Sequence, residues 1–292
     1  MNAPEMKPAE EILLVATREV KKNLRGVKGI ILLALSLLGG TIMSYLFARY
    51  IQADLSKAPP DKLAQLQGEA LAKYFHDDAV GRSLADAPFM LVIMLVLCVW
   101  LAPALIWLAG FDGISGEIQH RTIRYWWVRV RRWTFYVGKV VGLFLTVAGM
   151  TFAMHFAMWV VAAIQGSVSV TSVFGWGFKF WVVSLPIVAA WCGVASLVGS
   201  ATKTPISSLL LVGFTFFTLF ILGWAVPFVL VGVRHDPYDS TATTLRAFYP
   251  NSYDRFLLST EIDRILKGLL GCGAFAVLPT AGGAYWLSKR DV

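Results

Sequence analysis

An all-α membrane protein with six transmembrane helices is the fold this sequence predicts, on three observations. The chain is 57% hydrophobic and only 15% charged, with a mean hydropathy of +0.64, whereas soluble domains are about a quarter charged. Its charges cluster, leaving long apolar windows at about 29–48, 88–111, 140–164, 174–200, 205–232 and 268–287. Each reaches the roughly 20 residues that a helix rising about 1.5 Å per residue needs to cross a core of about 30 Å. Barrel strands would instead be segments of about ten residues with alternating polarity, and these windows do not alternate.

Ahead of the first span, residues 9–26 place Ile12, Val15, Ala16, Glu19 and Val20 at near-helical spacing. That pattern predicts an amphipathic helix at the inner membrane interface. Charges from Glu5 to Arg25 leave no room for the short apolar core of a signal peptide, so the first span is expected to remain as an anchor. The outer loop 49–87 holds Pro59-Pro60 and then a helix expected from about Asp61, with Leu63, Leu66, Ala70, Leu71 and Phe75 as one apolar stripe.

The second and third spans flank residues 112–139, DGISGEIQHRTIRYWWVRVRRWTFYVGK. A stretch so rich in Arg and Trp between two apolar runs belongs at a membrane surface. A short polar turn (165–173) then leads to the fourth span. There Lys179 is expected to snorkel beside Trp176 and Trp181, a place in a transport pathway being the alternative. The fifth run, Thr204–Val233, exceeds one crossing and contains Gly223, Pro227 and Gly232. A break near 223–227 is expected, with a short re-entrant or interfacial helix after it. Residues 233–267, with Pro237, Pro250 and aromatics including Tyr238, Tyr249 and Tyr253, read as an outer cap. With no compositional break, residues 1–292 form one membrane domain.

Basic residues orient the bundle. With the N-terminus inside, that face holds 15 of the 26 Lys and Arg residues, while the other 11 share their face with 11 Asp and Glu. The net charge of +8 therefore lies on the inner face, and six spans bring both termini to the cytoplasm. Such a face also attracts anionic lipid headgroups. Charge spread along membrane flanks rather than over a recognition module argues against nucleic acid as a partner.

Several chemistries lack their residues. No GxxxxGK[ST] phosphate loop, HExxH or CxxC occurs, and His76, His120, His155 and His235 are scattered. No cofactor or metal is expected in this chain. Cys98, Cys192 and Cys272 fall inside predicted spans, as packing residues. His155, inside the third span, is expected to pack as a neutral imidazole. Spans nearly free of ionisable groups argue against a coupled secondary transporter, and nothing resembles a nucleophile–base pair.

Within 112–139, the positions Asp112, Ile114, Ser115, Gly116, Glu117, Thr122, Ile123, Arg124, Arg132, Gly138 and Lys139 are similar to the cytoplasmic segment of type-2 ATP-binding-cassette (ABC) transporter permeases. The terminal SKRDV resembles the basic-Asp-aliphatic tail common in that family. Arg121 stands where the family usually has Gly, and Val130 where Pro is common. The helix is accordingly expected to run on through Tyr125–Trp133.

The resemblance implies a permease subunit of the bacterial or archaeal plasma membrane, exporting a substrate. It implies partnership with two copies of a separate ATPase that supply the ATP and Mg site, and with a second permease chain. It makes Asp112, Ser115, Gly116, Glu117, Thr122, Arg124 and Arg132 the candidate coupling residues. Seven residues apart, Glu117 and Arg124 are expected to face one partner surface, two helical turns along; simple anchoring of helix ends is the alternative. Gly138-x-x-x-Gly142 permits close helix approach, within the chain in preference to between chains. A non-transporting scaffold and a secondary transporter or channel are the competing functions.

Overall fold

The computed structural model describes residues 6–47, 59–165, 169–234 and 239–290. Parts of the outer loop (48–58) and outer turn (166–168), Pro237, Tyr238 and the terminal Asp291-Val292 lie outside them. The helices run α1 Pro8–Arg25, α2 Val27–Phe47, α3 Pro60–Phe75, α4 Asp78–Ser83, α5 Phe89–Gly110, α6 Ser115–Gln119 and α7 Ile123–Trp127. They continue as α8 Arg132–Gln165, α9 Val170–Ala201, α10 Pro205–Phe220, α11 Val226–Arg234, α12 Ser240–Arg246, α13 Asp254–Leu257 and α14 Ile262–Lys289. Among the described residues, six helical stretches are long and apolar enough to cross a membrane. They match the six windows of the sequence, so the chain is a multi-pass membrane protein.

The central span is α9, which packs against α14, α5 and α8, while α8 also carries α1 and α2. Close approach between α9 and α14 rests on Gly193, where a Cβ would lie 2.6 Å from the carbonyl oxygen of Ala276. Backbones can come this near only where a side chain is missing.

Pro103 inside α5 removes the N–H that would bond the carbonyl of Val99. Asn251, in a 3-10 turn of the cap (Pro250–Tyr253), fills the gap: its Nδ2 donates to Val99 O at 3.0 Å, and its Oδ1 accepts from Trp191 Nε1 at 2.7 Å. One buried side chain thus fastens the cap to α5 and α9. Asn251→Leu leaves a buried carbonyl and indole N–H unpaired and is expected to cost about 2–4 kcal/mol. The check is thermal unfolding of the purified chain in detergent.

The fifth apolar run does not stop at 223–227. A π-helical turn at Ile221–Ala225 widens it, and α11 continues to Arg234. Widening brings Trp224 into stacked contact with Phe220 (5.2 Å) and Phe228 (5.5 Å), while Gly223 accommodates Tyr249 of the cap. The stripe of α3 also differs from expectation. Leu71 and Phe75 are buried, but Leu66 and Ala70 face outward, because Gln67 is turned in to donate to the carbonyls of Leu84 and Ala87. The three cysteines are buried and free. Lys179 is exposed and lies over the Trp176 ring at 4.6 Å, and buried His155 bonds through Nδ1 to Thr151 O at 2.9 Å.

Both described chain ends and the 112–139 segment meet at one end of the bundle. Arg132 Nη1 donates to Ser288 O at 2.8 Å, and Arg290 Nη1 donates to Ser200 O at 2.7 Å. These carbonyls end α14 and α9, where cationic side chains are favoured by unsatisfied oxygens and the helix dipole.

Candidate functional site

The 112–139 segment is two short helices rather than one continued rod. Between α6 and α7, Arg121 adopts φ 54°, a left-handed conformation that glycine enters freely and other residues enter at a cost. Glu117 and Arg124 therefore do not share one helical face. Nor does the helix run from Tyr125 to Trp133: α7 ends at Trp127, and α8 begins at Arg132. Glu11 of α1 supplies the reason. Its carboxylate accepts from the backbone N–H of Arg131 (3.1 Å) and from Thr134 Oγ1 (2.5 Å), capping the N-terminus of α8. Arg121→Gly should relieve the strained turn, raising stability by up to about 1 kcal/mol, seen as a higher melting temperature with the helical content unchanged.

The two helices divide the candidate residues into an inward and an outward set. Inward, Ser115 is fully buried and its hydroxyl donates to Phe111 O at 2.8 Å. Thr122 Oγ1 donates to the Glu117 carboxylate. The other oxygen of Glu117 meets Lys139 Nζ at 3.0 Å, and Lys139 also reaches Glu19 of α1 at 2.6 Å. Lys22 stands 3.9 Å from Glu117. Asp112 pairs with Lys28 at 2.5 Å, and Lys28 donates to Ala109 O as well, closing the end of α5. Lys139 and Glu19 are 4% and 6% exposed, so this is a buried ionic network whose members depend on one another.

Gly138 and Gly142 make the network possible. A Cβ on either would lie 2.6 Å from the Cβ of Val15 or Glu19, respectively. The GxxxG pair is thus occupied by α1 within the chain. Helix α1, distant in sequence, is thus locked to α6 and α8, and Arg132, stacked 4.1 Å over Trp127 and bonded to Ser288 O, ties in α14.

Outward, Arg121, Arg124 and Arg129 are exposed around Tyr125 and Val128, which are 77% and 87% exposed. Beside this face runs a groove of about 790 Å³ between α1 and the two short helices, lined by Leu14, Arg18, Lys22, Tyr125 and Arg129. Arg18 covers its wall, 4.7 Å over Trp126. Apolar tips ringed by cations, on a backbone braced from behind, can receive a partner surface that is acidic at its rim. No group of three or more His, Cys, Asp or Glu among the described residues could hold a metal ion.

The structure thus turns Asp112, Ser115, Glu117 and Thr122 inward as the brace, with Gly116 held in the same turn by its N–H to Asp112 O, while Arg124 lies on the outer face. Arg132 joins the brace from its C-terminal side. Sequence reasoning missed Glu11, Lys22, Lys28 and the pairing of Glu19 with Lys139. Glu19 carried a signal: a carboxylate at an apolar-stripe position of α1 has to find a cation once buried.

A family described as ABC-2 family transporter protein matches residues 13–283, nearly the whole chain. No curated protein matches it.

Proposed function

Because the chain belongs to the ABC-2 transporter family, as a membrane subunit that does not itself hydrolyse ATP, we propose that it is an exporting permease driven by a separate ATPase. Two permease chains and two ATPase subunits form the working unit, in the plasma membrane of a bacterium or archaeon. The partner subunits hold ATP and Mg. The basic end of the bundle faces the cytoplasm, a reading supported by its excess of Lys and Arg.

The observation that carries this reading is the contrast within 112–139. A buried ionic network grips Glu117 of α6 from three sides, while Tyr125 of the adjoining short helix α7 and Val128 just after it project outward. A partner pressing on that face moves a braced lever, so its displacement passes to α5, α8 and α1 rather than dissipating in a loop. In this arrangement Arg124 contacts the ATPase. Asp112, Ser115, Gly116, Glu117, Thr122 and Arg132 transmit, and hold the lever's shape.

The test is reconstitution of the tagged chain with the ATPase that co-purifies with it in mild detergent. ATP-dependent transport into inverted vesicles is expected. An ATPase partner found without transport would point to a scaffold, and absence of any ATPase partner would sink the reading.

A further inference from the structure

At the end of the bundle away from the basic segment, a cavity of about 360 Å³ opens between α3, α5, α11 and the cap. One wall is aromatic: Trp100 meets Trp224 edge-on at 5.1 Å, and Trp224 stacks on Phe228 at 5.5 Å with the rings 10° apart. Trp100 Nε1 donates to Tyr74 Oη at 2.8 Å, fixing this wall to α3. The other wall is cationic. Among the described residues, Lys73, Arg246 and Arg255 line it against one carboxylate, Asp254.

Among the described residues, these cations outnumber the carboxylates beside them. Arg246 Nη2 donates to His76 Nε2 at 3.1 Å, which requires that nitrogen to be unprotonated. Burial, and then Arg246 and Arg255, push the His76 pKa below its ordinary value. His76 is held at φ 52°, ψ 44° at the end of α3, a left-handed geometry that costs energy for a residue other than glycine. Asp254 accepts the backbone N–H of Arg255 at 2.6 Å, and burial holds its carboxyl up at about 7. Arg255 Nε is buried and, among the described residues, has no hydrogen-bond partner. A buried guanidinium N–H without an acceptor is unfavourable until an anion supplies one.

The apolar wall leads outward. Phe228 and Val233 of α11 are 64% and 71% exposed, so a chain lying on Trp224 and Phe228 continues onto an open apolar helix face. The volume falls in the range of small-molecule sites, about 300–1,000 Å³.

We propose that this cavity binds an anionic amphiphile, its carboxylate or phosphate headgroup seated between Arg246 and Arg255 and its hydrocarbon chain on Trp224 and Phe228. The site is separate from the ATPase-facing segment, and binding is measured on this chain alone, so it stands or falls independently of the coupling reading.

The experiment is native mass spectrometry of the chain in nonionic detergent, titrated with stearate, phosphatidylglycerol, phosphatidylcholine or inorganic phosphate. One saturable equivalent of stearate or phosphatidylglycerol is expected, with phosphatidylcholine at least about tenfold weaker. Arg246→Gln with Arg255→Gln should weaken the anionic ligands about tenfold or more. Phe228→Ala, which removes the ring that stacks on Trp224 without adding a charge, should weaken the amphiphiles and leave inorganic phosphate unaffected. Each variant is first shown to melt as a folded protein. Equal binding of phosphatidylcholine, indifference to both sets of substitutions, or binding of phosphate without the amphiphiles would each overturn the proposal.

Discussion

Lys139→Met is expected to lower the stability of the folded chain by about 3–5 kcal/mol, the range for breaking a buried ion pair by removing one partner. Lys139 is 4% exposed and lies 2.6 Å from Glu19 and 3.0 Å from Glu117. Without its ammonium group, Glu19 loses the cation it meets at 2.6 Å, and among the described residues Glu117 keeps Lys22 at 3.9 Å together with the Thr122 hydroxyl. The two carboxylates would then have to be neutralised or exposed, and α1 would separate from α8. Adding Glu19→Gln and Glu117→Gln to Lys139→Met removes the uncompensated charge and should recover most of the loss. Thermal unfolding of the three proteins in detergent checks this. A Lys139→Met variant melting with the parent would show that the network contributes nothing.

Val128→Asp combined with Tyr125→Ala is expected to reduce the co-purified ATPase at least about tenfold, because a tyrosine anchor is lost and an unpaired charge is buried at the centre of the interface. The melting temperature should stay at the parent value, since both side chains are exposed. Glu117→Ala is the contrasting variant. It removes a member of the buried brace, so its melting temperature should fall, and its effect on substrate-stimulated ATP hydrolysis should follow from a loosened lever rather than a lost contact. Retention of the ATPase by the Tyr125/Val128 double variant would overturn this docking face.

The candidate motif was legible as a motif but not as a geometry. Its positions were visible in sequence, as was the oddity of Arg121 where glycine is usual. The left-handed turn at Arg121 gives that oddity its physical meaning, and it also separates Glu117 from Arg124. The expected continuation of the helix to Trp133 failed because Glu11, 120 residues away, caps α8 at Arg131. No local pattern announces a cap contributed by another helix.

By itself the sequence determined the six spans, the charge asymmetry between the two ends and the membership of 112–139 in a recognisable pattern. These follow from hydropathy, charge and residue order, each of which is a property of contiguous residues. Tertiary structure decided which way each side chain turns. A helix such as α5 is apolar on every side, so its rotation is fixed by neighbours rather than by its own periodicity. Glu19 with Lys139, Asn251 with Val99 and Arg290 with Ser200 are pairs separated by 120, 152 and 90 residues. Such contacts exist only once the helices have packed, and burial then makes their polar groups depend on one another.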